Sequence, residues 1–119
     1  MKKSEEFKNR LIDFTFDILK LLRKLPKTAE NIIFIKQIIR SASSIGANYA
    51  EAMFAHSRIE FIHCINISRK EVSETIYWLE MLRRANPNFE ADFGKLLLEA
   101  TEILKILIAS IKTAKQNNK

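Results

Sequence analysis

The sequence predicts an all-α fold, an up-down-up-down antiparallel four-helix bundle in a single domain over residues 1–119. Three observations carry this. Only two glycines and two prolines interrupt 119 residues, of which 47% are hydrophobic; so few turn formers favour a few long helices over a many-turned β fold. Apolar residues return at alternating steps of three and four through four long segments, the spacing that lines one face of a helix. Breakers fall at three places, around Leu25-Pro26, Ala55-His56 and Asn86-Pro87, and links this short join antiparallel neighbours.

Helix 1 is expected over about residues 4–24. Ser4 is a candidate N-cap with Glu5 and Glu6 in the first turn, where acidic groups complement the helix dipole. Phe7, Leu11, Phe14, Ile18 and Leu21 form its seam, and Ile12, Phe16 and Leu19 form a second stripe beside it. Two stripes make a wider apolar face than one neighbour needs. Lys20, Arg23 and Lys24 stand near the helix end, where cations either complement the dipole or form a rim that meets phosphate. Leu25-Pro26 closes the helix, because the residue before a proline disfavours the α region.

Helix 2 is expected over residues 29–54, with Thr28 as cap and Glu30 in the first turn. Its opening, NIIFIKQII, is rich in β-branched residues and could be a strand by propensity, but no second strand exists to pair with it. Ile32 to Ile35 are apolar all round, so one side of them is left for a subunit interface. Gly46, at mid-helix, costs about 1 kcal/mol relative to Ala, which implies a packing reason or a kink. Arg40, Ser44, Asn48 and Glu51 follow at steps of 4, 4 and 3 and form one polar stripe, extended by Glu74 and Arg69 of the next helix. The structural reading of this stripe is an ion-pair network fixing helix register; the functional reading puts Arg40 and Asn48 on a phosphate or base. The structural one is preferred, since one Arg and one Glu leave no net charge to draw a polyanion.

Helix 3 is expected over residues 58–84. Ser57 and Glu60 match a capping box, in which the serine hydroxyl bonds the backbone of the glutamate and the glutamate reaches back. Phe61, Ile65, Ser68, Val72, Thr75 or Ile76, Leu79 and Leu82 form the seam, flanked by Tyr77, Trp78 and Met81. Trp78 could stack on a base, although core or interface is the usual place for an aromatic at this spacing. Helix 4 is expected over residues 87–115, with Asn86 as cap and Pro87 at its first position, or Asn88 as cap. Its main seam is Phe93, Leu97, Ala100, Leu104, Leu107 and Ile111, and Lys112, Lys115 and Lys119 suit its C-terminus.

The net charge is +6, and residues 1–28 carry +4 of it. A basic balance draws anionic partners such as nucleic acid or serves solubility alone. The single cysteine, Cys64, cannot close an intrachain disulfide, so no oxidising compartment is required. The first residues lack the apolar run of a leader, and no stretch reaches the roughly 20 apolar residues of a membrane span. A soluble cytoplasmic chain, without membrane association, is expected.

Little points to catalysis. His56 and His63 fall in different elements, and Cys64 lies on an apolar helix face, the setting of an inert thiol. The two glycines, Gly46 and Gly94, stand alone and build no phosphate loop. No catalytic residue, metal or cofactor is assigned.

The stretch RSASSIGANYAEA, Arg40 to Ala52, resembles the signature R-x-A-x-S-I-P-A-N-I-A-E-G of the 23S ribosomal RNA intervening-sequence proteins. Ser57 with Glu60-Phe61 is similar to that family's S-x-x-E-F, and Ile67 to Leu82, ISRKEVSETIYWLEML, to its third helix, including a subgroup ending in E-T-x-Y-W-L. Gly46 stands where the family has proline and Ala52 where it has glycine. The resemblance implies a cytoplasmic four-helix bundle assembled as a barrel-like, ring-forming homopentamer. A related protein, the accessory variability determinant of diversity-generating retroelements, binds a reverse transcriptase and nucleic acid through a basic surface. With the charge pattern, this leads to an expected non-enzymatic homo-oligomer that binds RNA or DNA weakly through Lys20, Arg23, Lys24 and Lys27, with Lys112 and Lys115 next. The alternative is a protein-binding scaffold or accessory subunit, for example of a reverse transcriptase, whose charge is incidental.

Overall fold

The computed structural model describes residues 2–117, so the expectation for Lys119 lies outside the described residues. Four helices account for most of them: α1 (Lys2–Leu22), α2 (Ala29–Met53), α3 (Arg58–Ala85) and α4 (Glu90–Gln116), with a 3₁₀ turn at Pro87–Phe89 before α4. Each helix packs against its sequence neighbours, and α1 also meets α4, which closes a square. Asn31 on α2 bonds Asn86 after α3, while Ile45 on α2 bonds Ser68. Arg10 on α1 pairs with Glu99 on α4. The α2–α3 register runs in opposite directions along the two helices, as does that of α1 and α2, where Thr15 meets Ala42 and Leu11 lies beside Gly46; with short links throughout, the bundle is up-down-up-down. It measures 51 × 22 × 20 Å.

The helix ends follow local chemistry. Thr28 caps α2, its hydroxyl accepting from the Asn31 amide at 3.2 Å. Ser57 caps α3, its Oγ accepting from Glu60 N at 3.1 Å, while the Glu60 carboxylate reaches back to accept from His56 N at 3.3 Å. Two ends differ from expectation. Ser4 lies inside α1, which begins at Lys2 and ends at Leu22; the chain then leaves the α geometry in a turn that carries Arg23 and Lys24 ahead of Pro26. Asn86 makes no side-chain cap on the turn that follows it, and α4 proper starts at Glu90, with neither Asn86 nor Asn88 as its cap. The amide of Asn86 is committed elsewhere. Its Nδ2 donates to Asn31 Oδ1 (2.9 Å) and to Leu82 O (2.8 Å), and Asn31 Nδ2 donates to Asn86 Oδ1 (2.8 Å) and Pro26 O (2.8 Å). This reciprocal pair is buried and ties the α1–α2 link to the end of α3.

The core is formed by Leu11, Phe14, Ile18 and Leu21 of α1 with Ile38, Ala42, Ile45 and Tyr49 of α2, and by the seams of α3 and α4. On α3 the fully buried position is Thr75; Ile76 is half-buried. On α4 the buried line runs through Phe93, Leu96, Ala100, Ile103 and Leu107, while Leu97, Leu104 and Ile111 flank it half-buried. The expected seam was thus offset by one residue at two positions, because α4 is apolar over so much of its circumference that two neighbouring stripes both fit the period. Small residues let α2 and α3 come close: Ser68 Oγ donates to Ile45 O at 2.7 Å, and Thr75 Oγ1 lies 2.8 Å from Ser41 Oγ and from Glu71 O.

Candidate functional site

The end of the bundle where α1 finishes gathers the first set of basic residues. Lys20 lies in the last turn of α1, Arg23 and Lys24 occupy the turn after it, and Lys27 follows Pro26. All four are exposed. None has an ion-pair partner among the described residues. The antiparallel register brings α4's start to the same end. A cleft of about 230 Å³ between α1 and α4 is lined by Asp17, Lys20 and Lys24 on one wall and Asp92 and Lys95 on the other, with Leu21 and Leu96 among its lining. Arg83 and Arg84 also reach this end, at the close of α3. Arg83 is spoken for: it pairs with Glu80 and Glu90, both at 2.7 Å, and these bonds raise its pKa further. Arg84 is exposed and has no such partner among the described residues. Lys95 and Arg84 were missed by sequence reasoning; the antiparallel register of α1 and α4 is the signal that places Lys95 opposite Lys20.

Lys112 and Lys115 are exposed near the C-terminus of α4, at the other end of a 51 Å bundle. Thr113 and Ala114 beside them line a hollow with Lys3 and Phe61. The two groups of candidates therefore do not make one surface within a single chain.

The polar stripe of α2 lies along the α2–α3 seam. Arg40, half-exposed, crosses to Glu71 at 3.4 Å and more closely to Glu74. The bond from Arg40 holds the Glu74 carboxyl below the usual carboxylate range, and Trp78 Nε1, donating to the same carboxylate at 3.2 Å, acts in the same direction. Ser44 Oγ donates to Arg40 O and Asn48 Nδ2 to Ser44 O, both at 2.8 Å and both one turn back along α2. Glu51 is exposed on the same face without joining Arg40's ion pairs. Arg69 does not extend the stripe; its Nε donates to Asn66 Oδ1 at 2.9 Å. Glu71 was not anticipated, although it sits one position short of a turn from Glu74. Arg40 is thus neutralised by its own chain. Trp78 is half-buried against the core, 5.8 Å from the Phe34 ring and 5.0 Å from Tyr77, which is the packing role.

His56 and His63 are exposed, and Cys64 is half-buried with a thiol pKa raised by burial. No group of three or more potential metal ligands converges among the described residues. No helix of the described residues is long and apolar enough to cross a membrane.

One apolar surface remains. Ser43, Gly46, Ala47 and Ala50 of α2 face Leu11, Ile12, Thr15 and Phe16 of α1 across a trench of about 320 Å³. Ile12, Phe16 and, further along α2, Ile32 and Ile39 are exposed around it. Gly46 has an ordinary negative φ, and a Cβ there would sit 3.7 Å from Leu11 Cβ, a normal contact. α2 continues uninterrupted through Gly46, and no packing within the chain requires the glycine there.

A family model described as 23S rRNA-intervening sequence protein matches residues 3–109. Among solved structures, a crystal structure described as a protein of unknown function from the S23 ribosomal protein family of Bacteroides thetaiotaomicron is 39% identical, with a TM-score of 0.83; the match covers 92% of this chain and 98% of that one. No curated protein matches the chain.

Proposed function

The chain belongs to the 23S rRNA-intervening sequence protein family, and from that premise we propose that it is a non-enzymatic, self-associating helical bundle that binds RNA or DNA through phosphate contacts at its α1–α2 end. The observation that carries this reading is the set of four exposed, unpaired cations, Lys20, Arg23, Lys24 and Lys27, confined to one turn and the link that follows it. Cations already paired with carboxylates, such as Arg40 and Arg83, offer little to a polyanion; unpaired ones release counterions when they meet phosphate. A modest charge per chain becomes a large field when copies assemble with these ends on one rim. The homopentamer implied by the family resemblance would do this.

The test is binding of a labelled single-stranded RNA across a salt series. Affinity should fall steeply and linearly on logarithmic axes. Reversing charge at Arg23 and Lys24 should weaken binding to all sequences alike. Unchanged affinity in the R23E/K24E variant would overturn the assignment of this end.

A second reading, an accessory subunit that docks on another protein, is favoured by one feature. Phe54 and Ile59, at the tight α2–α3 link, are each 82% exposed. An apolar contact of this kind would resist salt, whereas phosphate binding would not, so the same salt series separates the two.

A further inference from the structure

The α1–α4 cleft has a feature that the basic end as a whole lacks. It holds three lysines, Lys20 from α1, Lys24 from the turn after it and Lys95 from α4, together with Asp17 and Asp92. Opposite charges share one small space, yet no lysine–aspartate pair in it closes to within 4 Å. The ammonium groups thus keep their bonding capacity for a group from outside, and an ammonium can donate three hydrogen bonds. Leu21 and Leu96 give the cleft an apolar lining, against which an ionic contact is screened less than on an open surface.

We propose that this cleft seats a backbone phosphate of the bound nucleic acid, with Lys20, Lys24 and Lys95 as its donors and Asp17 and Asp92 as charges that weaken the grip. This rests on the nucleic-acid reading and adds to it a location, a third donor and a pair of opposing residues. The three donors come from the last turn of α1, the turn after it and the start of α4, remote in sequence, so the site exists only in the folded bundle. Asp92 stands three residues before Lys95 on the same helix; it holds down the local potential that the lysines would otherwise present. Removing it should tighten binding, which no purely structural role for this exposed residue predicts.

The experiment measures anisotropy of a labelled 20-nucleotide single-stranded RNA with the full chain and three variants, K95Q, D92N and K70Q, over a salt series. All three positions are exposed, and circular dichroism checks that the helices persist. K95Q should weaken binding about threefold at moderate salt and reduce the slope by about one phosphate contact. D92N should strengthen binding by a similar factor, and K70Q, midway along α3 and outside the cleft, should change neither. If the chain binds RNA but K95Q and D92N leave affinity and slope unchanged, the cleft is not the seat, and binding elsewhere on the basic end survives. If the unaltered chain binds no RNA at any salt, the nucleic-acid reading fails, and the phosphate seat with it.

Discussion

At the scale of single residues, burial decides which polar group matters most, and burial is what the sequence conveys least. Arg40 is the conspicuous residue in the sequence, the cation that opens the polar stripe of Ser44, Asn48 and Glu51. In the fold it is half-exposed and bonded to Glu71 and Glu74 at the surface. Exposed pairs contribute about 0–1 kcal/mol, so Arg40→Ala should lower the melting temperature only slightly. The inconspicuous pair Asn31 and Asn86 is buried, with all four side-chain bonds made inside the protein. Truncating one member orphans the other, at a cost of about 1–3 kcal/mol. Asn86→Ala should therefore destabilise the chain more than Arg40→Ala, and in a chemical-denaturation cycle the Asn31→Ala/Asn86→Ala double variant should lose less than the two single variants together. Pattern alone made Asn86 a helix cap; that its amide turns inward depends on Asn31, 55 residues away, which no local signal encodes. Glu74 supplies a pH test. Its folded pKa lies below the ordinary value because Arg40 and Trp78 bond the charged form. Its contribution is present in full above the ordinary carboxylate range and is lost as acid takes the medium down through the folded value. The stability gap between the unaltered chain and Glu74→Gln should shrink over that acid window, and a gap constant with pH would show that the carboxylate bonds contribute nothing.

At the scale of elements, periodicity and caps located the helices because both are local. Thr28 and Ser57 act where a short polar side chain meets free amides, and the α1 seam follows from spacing alone. Periodicity failed where a helix is apolar over most of its surface. On α4 the buried line passes through Leu96 and Ile103, not Leu97 and Leu104; the choice is made by the packing of α1 and α3, not by α4 itself. Gly46 shows the same limit from the other side. The sequence signals a cost, yet the folded chain contains no reason for it: the helix runs unbroken and a methyl group fits. Gly46→Ala should then stabilise the isolated bundle by about 1 kcal/mol, the difference in helix propensity. The same methyl would partly fill the trench between α1 and α2. If another copy lies there, the variant should melt higher when dilute and associate more weakly when concentrated. Analytical ultracentrifugation beside thermal melts would register the two opposed effects.

At the scale of the whole molecule, the unexplained apolar surface and the basic end belong to one argument. Ile12 and Phe16 lie exposed beside the α1–α2 trench, and exposed Ile32 and Ile39 share by spacing the α2 face that carries Ser43, Gly46 and Ala50; exposed apolar side chains gathered on one face mark a surface for association. These side chains are already about half buried, so covering the rest of each with another copy would gain roughly 1 kcal/mol per residue, half the value for a fully exposed side chain of this size. A charge placed there cannot be covered without a partner. Phe16→Glu should therefore hold the chain at the mass of one copy in light scattering while its helix content is unchanged, since Phe16 faces outward and the core beneath it is intact. The consequence for binding follows from avidity. At the α1–α2 end each copy offers Lys20, Arg23, Lys24 and Lys27 as its unpaired cations, and a single copy would bind weakly at physiological salt. Linked copies share one polyanion, and the second contact forms at a high effective concentration. Because a glutamate at position 16 would also pair with Lys20 one turn on, the affinity is compared with Ile12→Glu, which lines the same trench eight residues from Lys20; held to one copy, it should lower RNA affinity by far more than a single lysine variant does. Equal affinity of the one-copy and assembled forms would separate assembly from binding and leave each bundle to act alone.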